Sequence, residues 1–339
     1  MKAVRFHAHG GPEVLRYEEA PDPVTARGRA LVRVRACALN HLDLWERRGI
    51  PRVTLPLPHI SGSDIAGEVV DDGGGAVAAG TRVMLQPGLR CGRCAACADG
   101  RDNQCDTYDV LGLKSDGGYA ELVSVPTENL IPIPAHVEFV TAAAFPLTFL
   151  TAWHMLRTRA KLQRGETILV LAGGSGVGQA AIQIARQVGA RVFATSAPAK
   201  LERTRALGAE EVLDHYAGDF ATEVRRLTEG RGADVVVEHV GEATWSRSLR
   251  SLATGGRLVT CGATTGPDAS IDLRHLFARQ LSLLGCYMGR FSELREAAPL
   301  LFDGTFQPVI DVVLPLADAA DAQRRLENRS QFGKIVLQV

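Results

Sequence analysis

The chain has 339 residues, more than one hydrophobic core usually organises, so two domains are expected, and its 46% hydrophobic content supplies ample core. Lysine plus arginine and aspartate plus glutamate balance at 38 each, which excludes a net field that would recruit nucleic acid or an anionic membrane. The opening MKAVRFHAHGGPEVL has no apolar core or small-residue cleavage site, and no apolar run approaches the roughly 20 residues that cross a bilayer. A cytoplasmic protein with a small-molecule ligand and no membrane or nucleic-acid partner is the expectation.

Taken in chain order, residues 1 to about 130 hold short alternating segments broken by glycine and proline: RALVRVRACAL, DIAGEVV, TRVMLQPG and YAELVSVP. They predict strands of a largely antiparallel β domain. Within it, CGRCAACADGRDNQC places Cys91, Cys94, Cys97 and Cys105 as C-x2-C-x2-C-x7-C. Four thiolates so close in sequence close a tetrahedral shell around zinc and leave no open position, which marks one structural Zn²⁺ per chain. The alternative is a site intact in sequence and empty in the purified protein. Seven cysteines, an odd number with four crowded together, fit metal ligation in a reducing compartment; Cys37, Cys261 and Cys286 are then buried free thiols.

From about Thr148 the rhythm changes. ETILVLA is a continuous apolar run, GQAAIQIARQVGA has helical spacing, and strand-like and helix-like segments then alternate through ARVFATS, ADVVVEHVG and RLVTCGAT. Buried strands alternating with helices predict an α/β, doubly wound parallel sheet. Gly173, Gly174, Gly176 and Gly178, with Ser175 and Val177 between them, form a glycine-rich turn from strand to helix, where backbone can approach a pyrophosphate. Ser175 breaks the strict G-x-G-x-x-G. The next strand ends in Thr195 and Ser196 where an NAD site usually carries an acid, and Lys200 and Arg203 follow. A missing carboxylate with nearby cations favours NADP(H), with NAD(H) as the alternative; the two cations could instead simply solvate a helix face. Gly262 and Lys334 complete the expected cofactor contacts. RQLSLLGCYMG, residues 279–289, predicts an apolar strand at the sheet edge, and GKIVLQV a strand returning to the first domain.

The cysteine loop, the GGYAELVSVP that follows it, the GGSGVG turn and the closing GKIVLQV together resemble the medium-chain dehydrogenase/reductase superfamily over essentially the whole chain. The resemblance implies a GroES-like catalytic domain, residues 1–148 and 290–339, a Rossmann domain, residues 149–289, a cleft between them, and a homodimer or tetramer. Zinc alcohol dehydrogenases of that superfamily hold a second, catalytic zinc by an early cysteine, a histidine followed by glutamate, and a later cysteine. Here Asn40 stands at the first position, Ser63 and Asp64 at the second and Leu147 near the third, while Leu42 replaces the hydroxyl that relays the alcohol proton. Asn40 followed by Asp43 looks like the quinone oxidoreductase and enone reductase branch, which works without catalytic metal, although that branch usually lacks the four-cysteine loop.

The expected activity is therefore NADPH-dependent reduction of quinones, enones or related carbonyls, because oxidising a plain alcohol without a Lewis acid is hard. Asn40, Asp43, Ser63, Asp64 and Thr151 are expected to line the reacting site, with Trp45 and Phe149 as apolar walls. His59, Asp64 and Asp43 as a substitute metal set would instead restore an alcohol dehydrogenase or aldehyde reductase. His59 as a hydrogen-bonded structural residue is the favoured reading; His41 is a candidate acid, and His154 a packing residue. A non-enzymatic protein using the zinc loop as a binding knuckle is the remaining class, with only Arg93 and Arg101 as basic residues of that loop.

Overall fold

The structure, a computed structural model, describes residues 1–24 and 26–339. They fall into two units, Met1–Leu147 with Arg290–Val339, and Thr148–Gly289.

In the first unit, two-residue alternation builds the sheet. RALVRVRACA forms the strand Arg29–Ala38, with Ala30, Val32 and Val34 buried while Arg33 and Arg35 face outward. It pairs antiparallel with Asp64–Asp71, Leu122–Pro126 and Lys334–Gln338. The sheet runs Ile310–Pro315, Lys334–Gln338, Arg29–Ala38, Asp64–Asp71, Arg82–Leu85, Leu130–Pro132. Its core includes Val32, Val34, Ile65, Val69, Leu85, Tyr119, Ile335 and Leu337.

Register is what assembles the site in this unit. Ala38 lies opposite both Asp64 and Val336, so Asn40, Asp64 and Lys334, far apart in sequence, reach the same end of the sheet. The helix His41–Arg48 is then held by Arg47, which is wholly buried. Its Nε donates to Gln323 Oε1 at 2.6 Å, its Nη1 donates to Gly10 O at 2.7 Å, and it pairs with Glu327, which ties the helix to the helix Ala319–Glu327.

The second unit is a six-stranded parallel sheet ordered Glu211–Asp214, Arg191–Ser196, Thr167–Val170, Ala233–Glu238, Leu252–Thr260, Ser282–Gly285. Numbered along the chain this is the order 3-2-1-4-5-6 of a dinucleotide-binding Rossmann sheet. TILV and ADVVVE are buried at every position, as befits central strands covered on both faces. The fold class is that expected: a β-rich GroES-like unit plus a doubly wound parallel sheet.

One local expectation differs. The apolar stretch 279–289 is strand only over Ser282–Gly285, because Gln280 adopts a left-handed conformation (φ 53°) that breaks the extended run. The helix carrying Thr151 starts at Pro146, where a missing N–H costs nothing, and passes at Trp153 into a π-helical turn, His154–Arg159.

Candidate active site

Asn40 precedes the helix His41–Arg48, and Asp43 Oδ2 accepts its backbone N–H at 2.9 Å, one half of a capping box. The Asn40 side chain faces the Asp43 N–H across this capping box and is also engaged elsewhere. Its Nδ2 donates to Asp64 Oδ2 at 3.0 Å, and its Oδ1 accepts from Lys334 Nζ at 2.7 Å. Lys334 Nζ also donates to Leu39 O at 2.7 Å and to Asp64 Oδ2 at 2.9 Å. Asp64 Oδ1 accepts the Leu147 N–H at 2.7 Å. Asn40, Asp64 and Leu147, three positions where a zinc alcohol dehydrogenase would carry ligands, are thus linked by hydrogen bonds, with an ammonium between two of them.

This corrects the expectation for Lys334. An ammonium has three N–H donors, and all three are satisfied inside the first unit while the residue is only 2% exposed. It is an internal cation, with no donor left for a cofactor.

Burial also sorts the five expected lining residues. Asp43, Ser63 and Asp64 are fully buried, whereas Asn40 and Thr151 keep 7% and 5% exposure. Asp43 Oδ2 accepts from the Tyr119 hydroxyl at 2.8 Å as well as from Asn40 N–H. Burial pushes the Asp43 carboxyl up to about 6, against the lowering effect of those two bonds. Asp43 and Asp64 therefore hold other groups in place and do not face an open surface. Ser63 Oγ is sealed without a partner, and so is Thr151 Oγ1 in the second unit. Of the apolar walls, Trp45 is 39% exposed and Phe149 wholly buried.

His59 is buried and held by Gly112 O, 2.7 Å from its Nε2, with Phe6 edge-on against its ring. Burial lowers its pKa, as suits a neutral structural imidazole. His41 is half-buried with its ring 6.4 Å from that of Trp45, and His154 is buried.

One buried group near this site was not expected. Glu46 is fully buried, and burial, with Asp43 nearby, raises its pKa well above the usual value. The folded state therefore keeps a proton that the unfolded state releases above about pH 4.5, so stability supplied by Glu46 is full below that pH and is lost as pH rises. Glu46→Gln should flatten the dependence. Between pH 5 and 8, urea unfolding free energy should fall more steeply in the parent than in the variant, by up to about 1.4 kcal/mol per pH unit. Parallel curves would show that Glu46 ionises freely in the fold.

In the second unit, the glycine-rich turn lies at the C-terminal ends of the strands where their order reverses, the usual place for a dinucleotide. Ser175, the residue that breaks the glycine pattern, is the N-cap of the helix Gly176–Val188, accepting from Gly178 N at 2.9 Å. Its hydroxyl is also 3.0 Å from His239 Nε2, which joins the ends of strands Thr167–Val170 and Ala233–Glu238 across the switch point. Gly178 has no room for a side chain, since a Cβ would lie 2.3 Å from Ala172 O. Gly173 and Gly174 are buried, while Gly176 and Val177 are half-buried on the first turn of the helix. This capped helix start and its close-packed glycines fit a bound pyrophosphate.

Ser196 is buried, accepting from Thr204 Oγ1 at 3.0 Å, and Thr195 Oγ1 accepts from Ala172 N at 3.0 Å. The Thr195 hydroxyl therefore braces the turn, and the Ser196 hydroxyl holds the helix Leu201–Ala206. Lys200 lies in the short 3₁₀ turn Pro198–Lys200 that follows, Arg203 is exposed on the next helix, and Gly262 is half-buried with His239 O nearby.

The four thiols converge as expected, with all Sγ atoms within 4.8 Å of one another and Cys91 4.0 Å from Cys97. A zinc tetrahedron with bonds of about 2.3 Å has edges of about 3.8 Å, so the cluster fits the ion. Backbone N–H groups of Cys91 and Cys94 point at Cys105 Sγ and Cys91 Sγ, each at 3.4 Å, as thiolate ligands require. The Cys91 N–H draws Cys105 down to about 6, while burial pushes Cys97 up to about 12. Among the described residues, no other His, Cys, Asp and Glu side chains converge in this way. The loop is anchored by Asp102, whose Oδ2 accepts the Phe291 N–H at 2.9 Å at the start of the helix Phe291–Phe302, while Arg90 stacks on the Phe291 ring.

Comparison with known proteins agrees with this geometry. The family described as alcohol dehydrogenase GroES-like domain matches residues 26–135, and the one described as zinc-binding dehydrogenase matches residues 176–303. An NAD-dependent alcohol dehydrogenase of Sulfolobus acidocaldarius is 32% identical, covering 100% of both chains. A quinone oxidoreductase of Pseudomonas aeruginosa is 33% identical, covering 99% of both. The chain belongs to the medium-chain dehydrogenase/reductase superfamily. A crystal structure of an NAD-dependent alcohol dehydrogenase superposes with a TM-score of 0.97 at 46% identity, covering 100% of both chains.

As a medium-chain dehydrogenase/reductase the chain is an NAD(P)-dependent oxidoreductase, which removes the reading of a non-enzymatic binding protein. Sequence reasoning missed three buried or bonded residues around these candidate sites. Tyr119 lies in the quoted GGYAELVSVP but carried no signal for its bond to Asp43. Glu46 reads as an ordinary helix-surface acid. His239 could have been found, because it follows directly on a buried central strand, at the end where ligands bind.

Proposed function

We propose that the chain is an NADPH-dependent reductase of quinones, enones or related activated carbonyls that transfers hydride without a catalytic metal. The observation that carries this reading is the bonding of Asn40, Asp64, Leu147 and Lys334 to one another. Asp64 already accepts from three donors, and the ammonium beside it repels a second cation, so the group is poorly disposed to ligate a metal.

When bound, the nicotinamide cofactor supplies the hydride. Amides of the turn 173–178 would hold its pyrophosphate, and the absence of an acid at Thr195 and Ser196, with Lys200 and Arg203 beyond, supports the 2′-phosphate form. Asn40 keeps one Nδ2 proton without a partner among the described residues. That N–H would donate to the substrate oxygen as it gains negative charge, and Lys334 on Oδ1 of the same amide strengthens the donor. Asp43, Asp64 and Lys334 hold the amide in place.

Alcohol dehydrogenase or aldehyde reductase is the second reading, favoured by the alcohol dehydrogenases among the relatives. Zinc measured by plasma mass spectrometry separates the two. About one zinc per chain, lost when Cys91 and Cys94 are both replaced by serine, is expected, with NADPH-driven reduction of a benzoquinone or enone and negligible alcohol oxidation. About two zinc ions, one surviving the double substitution, would return the chain to the alcohol dehydrogenases.

The reading places the protein in the cytoplasm, where thiols stay reduced. A homodimer, with a tetramer as the alternative, is proposed from the edge strand Ser282–Gly285, whose surroundings expose Leu273, Phe277, Leu283 and Tyr287. Light scattering should give at least twice the 36.3 kDa of one chain. Monomer mass across the concentration range would overturn this assembly.

A further inference from the structure

A cavity of about 270 Å³ in the second unit is lined by Ala221, Thr222, Arg225, Arg250, His275 and Arg279. It lies at the edge of the sheet opposite the glycine-rich turn. Arg225 and Arg279 both bond Leu252 O, at the N-terminal start of the strand Leu252–Thr260, and Arg279 itself comes just before the strand Ser282–Gly285. The glycine-rich turn and Gly262, in contrast, follow strand C-terminal ends.

The charges around this cavity do not balance. Arg250 Nη1 pairs with Asp219 at 2.8 Å. Arg225 Nη2 and Arg279 Nη2 donate to the same Leu252 carbonyl at 2.9 and 3.3 Å, so two guanidiniums share one acceptor, and neither pairs with a carboxylate among the described residues. Arg225 is fully committed, its donors directed to the carbonyls of Gly230, Arg231, Arg250 and Leu252. Burial, and then the Arg279 charge, lower its pKa. Arg279 is not committed in this way. Its Nε is shielded from solvent and has no partner. A guanidinium without a counter-ion beside a second cation is a costly arrangement that an anion would relieve.

We propose that this cavity is a binding site for a small oxyanion, phosphate or a phosphate monoester, held by Arg279 and Arg250 with His275 in the wall and Arg225 as a fixed charge behind. Three guanidiniums against the Asp219 carboxylate leave two positive charges, which a phosphate dianion matches. The planar guanidinium fork suits phosphate oxygens, and Arg279 Nη1, which is not sealed from solvent and makes no hydrogen bond among the described residues, supplies donors to them. Thr222 is engaged with Asp219 at 3.1 Å and lines the cavity without adding a free donor. The site is separate from the dinucleotide turn and does not depend on the reaction proposed above.

Calorimetric titration of the full chain with inorganic phosphate and with methyl phosphate, at constant ionic strength, tests it. The parent should show one saturable site per chain, weakened about tenfold or more in Arg279→Gln and less in Arg279→Lys, which keeps the charge but not the fork. Arg274→Gln, at an exposed arginine paired with Asp272 outside the cavity, should bind as the parent does. Should Arg279→Gln fail to fold, the Arg279→Lys comparison decides. Tighter binding of methyl phosphate would assign the site to a phosphorylated metabolite, and equal or weaker binding to free phosphate; both support an oxyanion site. Heat that never saturates, or equal affinity in the parent and the Arg279 variants, would overturn it, the latter placing phosphate at another site such as the glycine-rich turn.

Discussion

Lys334→Met is expected to destabilise the first unit by about 3–5 kcal/mol, because removing one member of a buried ion pair strands the other without water. Asp64 would lose the cation 2.9 Å from its Oδ2, and Asn40 Oδ1 and Leu39 O would each lose a donor. The second substitution Asp64→Asn should recover part of the loss. The new amide can still accept the Leu147 N–H, and its NH₂ can donate to an Asn40 oxygen freed of lysine, so the pair of changes removes both charges and keeps the bonds. Hydrogen exchange of the strand Arg29–Ala38 reads the first unit separately from the second, and the double variant should regain protection there. A single variant within about 1 kcal/mol of the parent would show that the network contributes little.

Asn40→Ala should lower the turnover of quinone or enone reduction by about 10²–10³-fold, the usual cost of removing one donor to a developing oxyanion. The fall should lie in kcat more than in KM, because the bond strengthens only as charge develops. Cofactor affinity, read from NADPH fluorescence, should hold within about twofold, since the glycine-rich turn lies in the other unit. A kcat within about threefold of the parent would remove Asn40 from the reacting site and leave it as a helix cap.

The two predictions fall on residues that the sequence read unequally. Asn40 was expected at the site, because it replaces a metal ligand in a recognisable segment. Lys334 was expected at the cofactor, because a lone lysine in a closing strand shows no partner. Its partners are more than 250 positions earlier in the chain, and only the pairing of Ala38 with both Asp64 and Val336 reveals them. Asp43 depends on the fold for a related reason: in sequence a helix cap and a site acid look alike, and only burial separates them.

What the sequence determined by itself is what short-range pattern carries. The cysteine loop, the glycine-rich turn and the alternation of buried strands with helices are each written within a few dozen residues, because ligand spacing, tight turns and strand or helix period are local properties. Tertiary structure alone decided the rest. Ser175 became a cap bonded to His239, Lys334 an internal cation, and three arginines from three segments the walls of one cavity. Those outcomes depend on strand register and on which charges burial leaves without a partner, and neither is a property of residues adjacent in the chain.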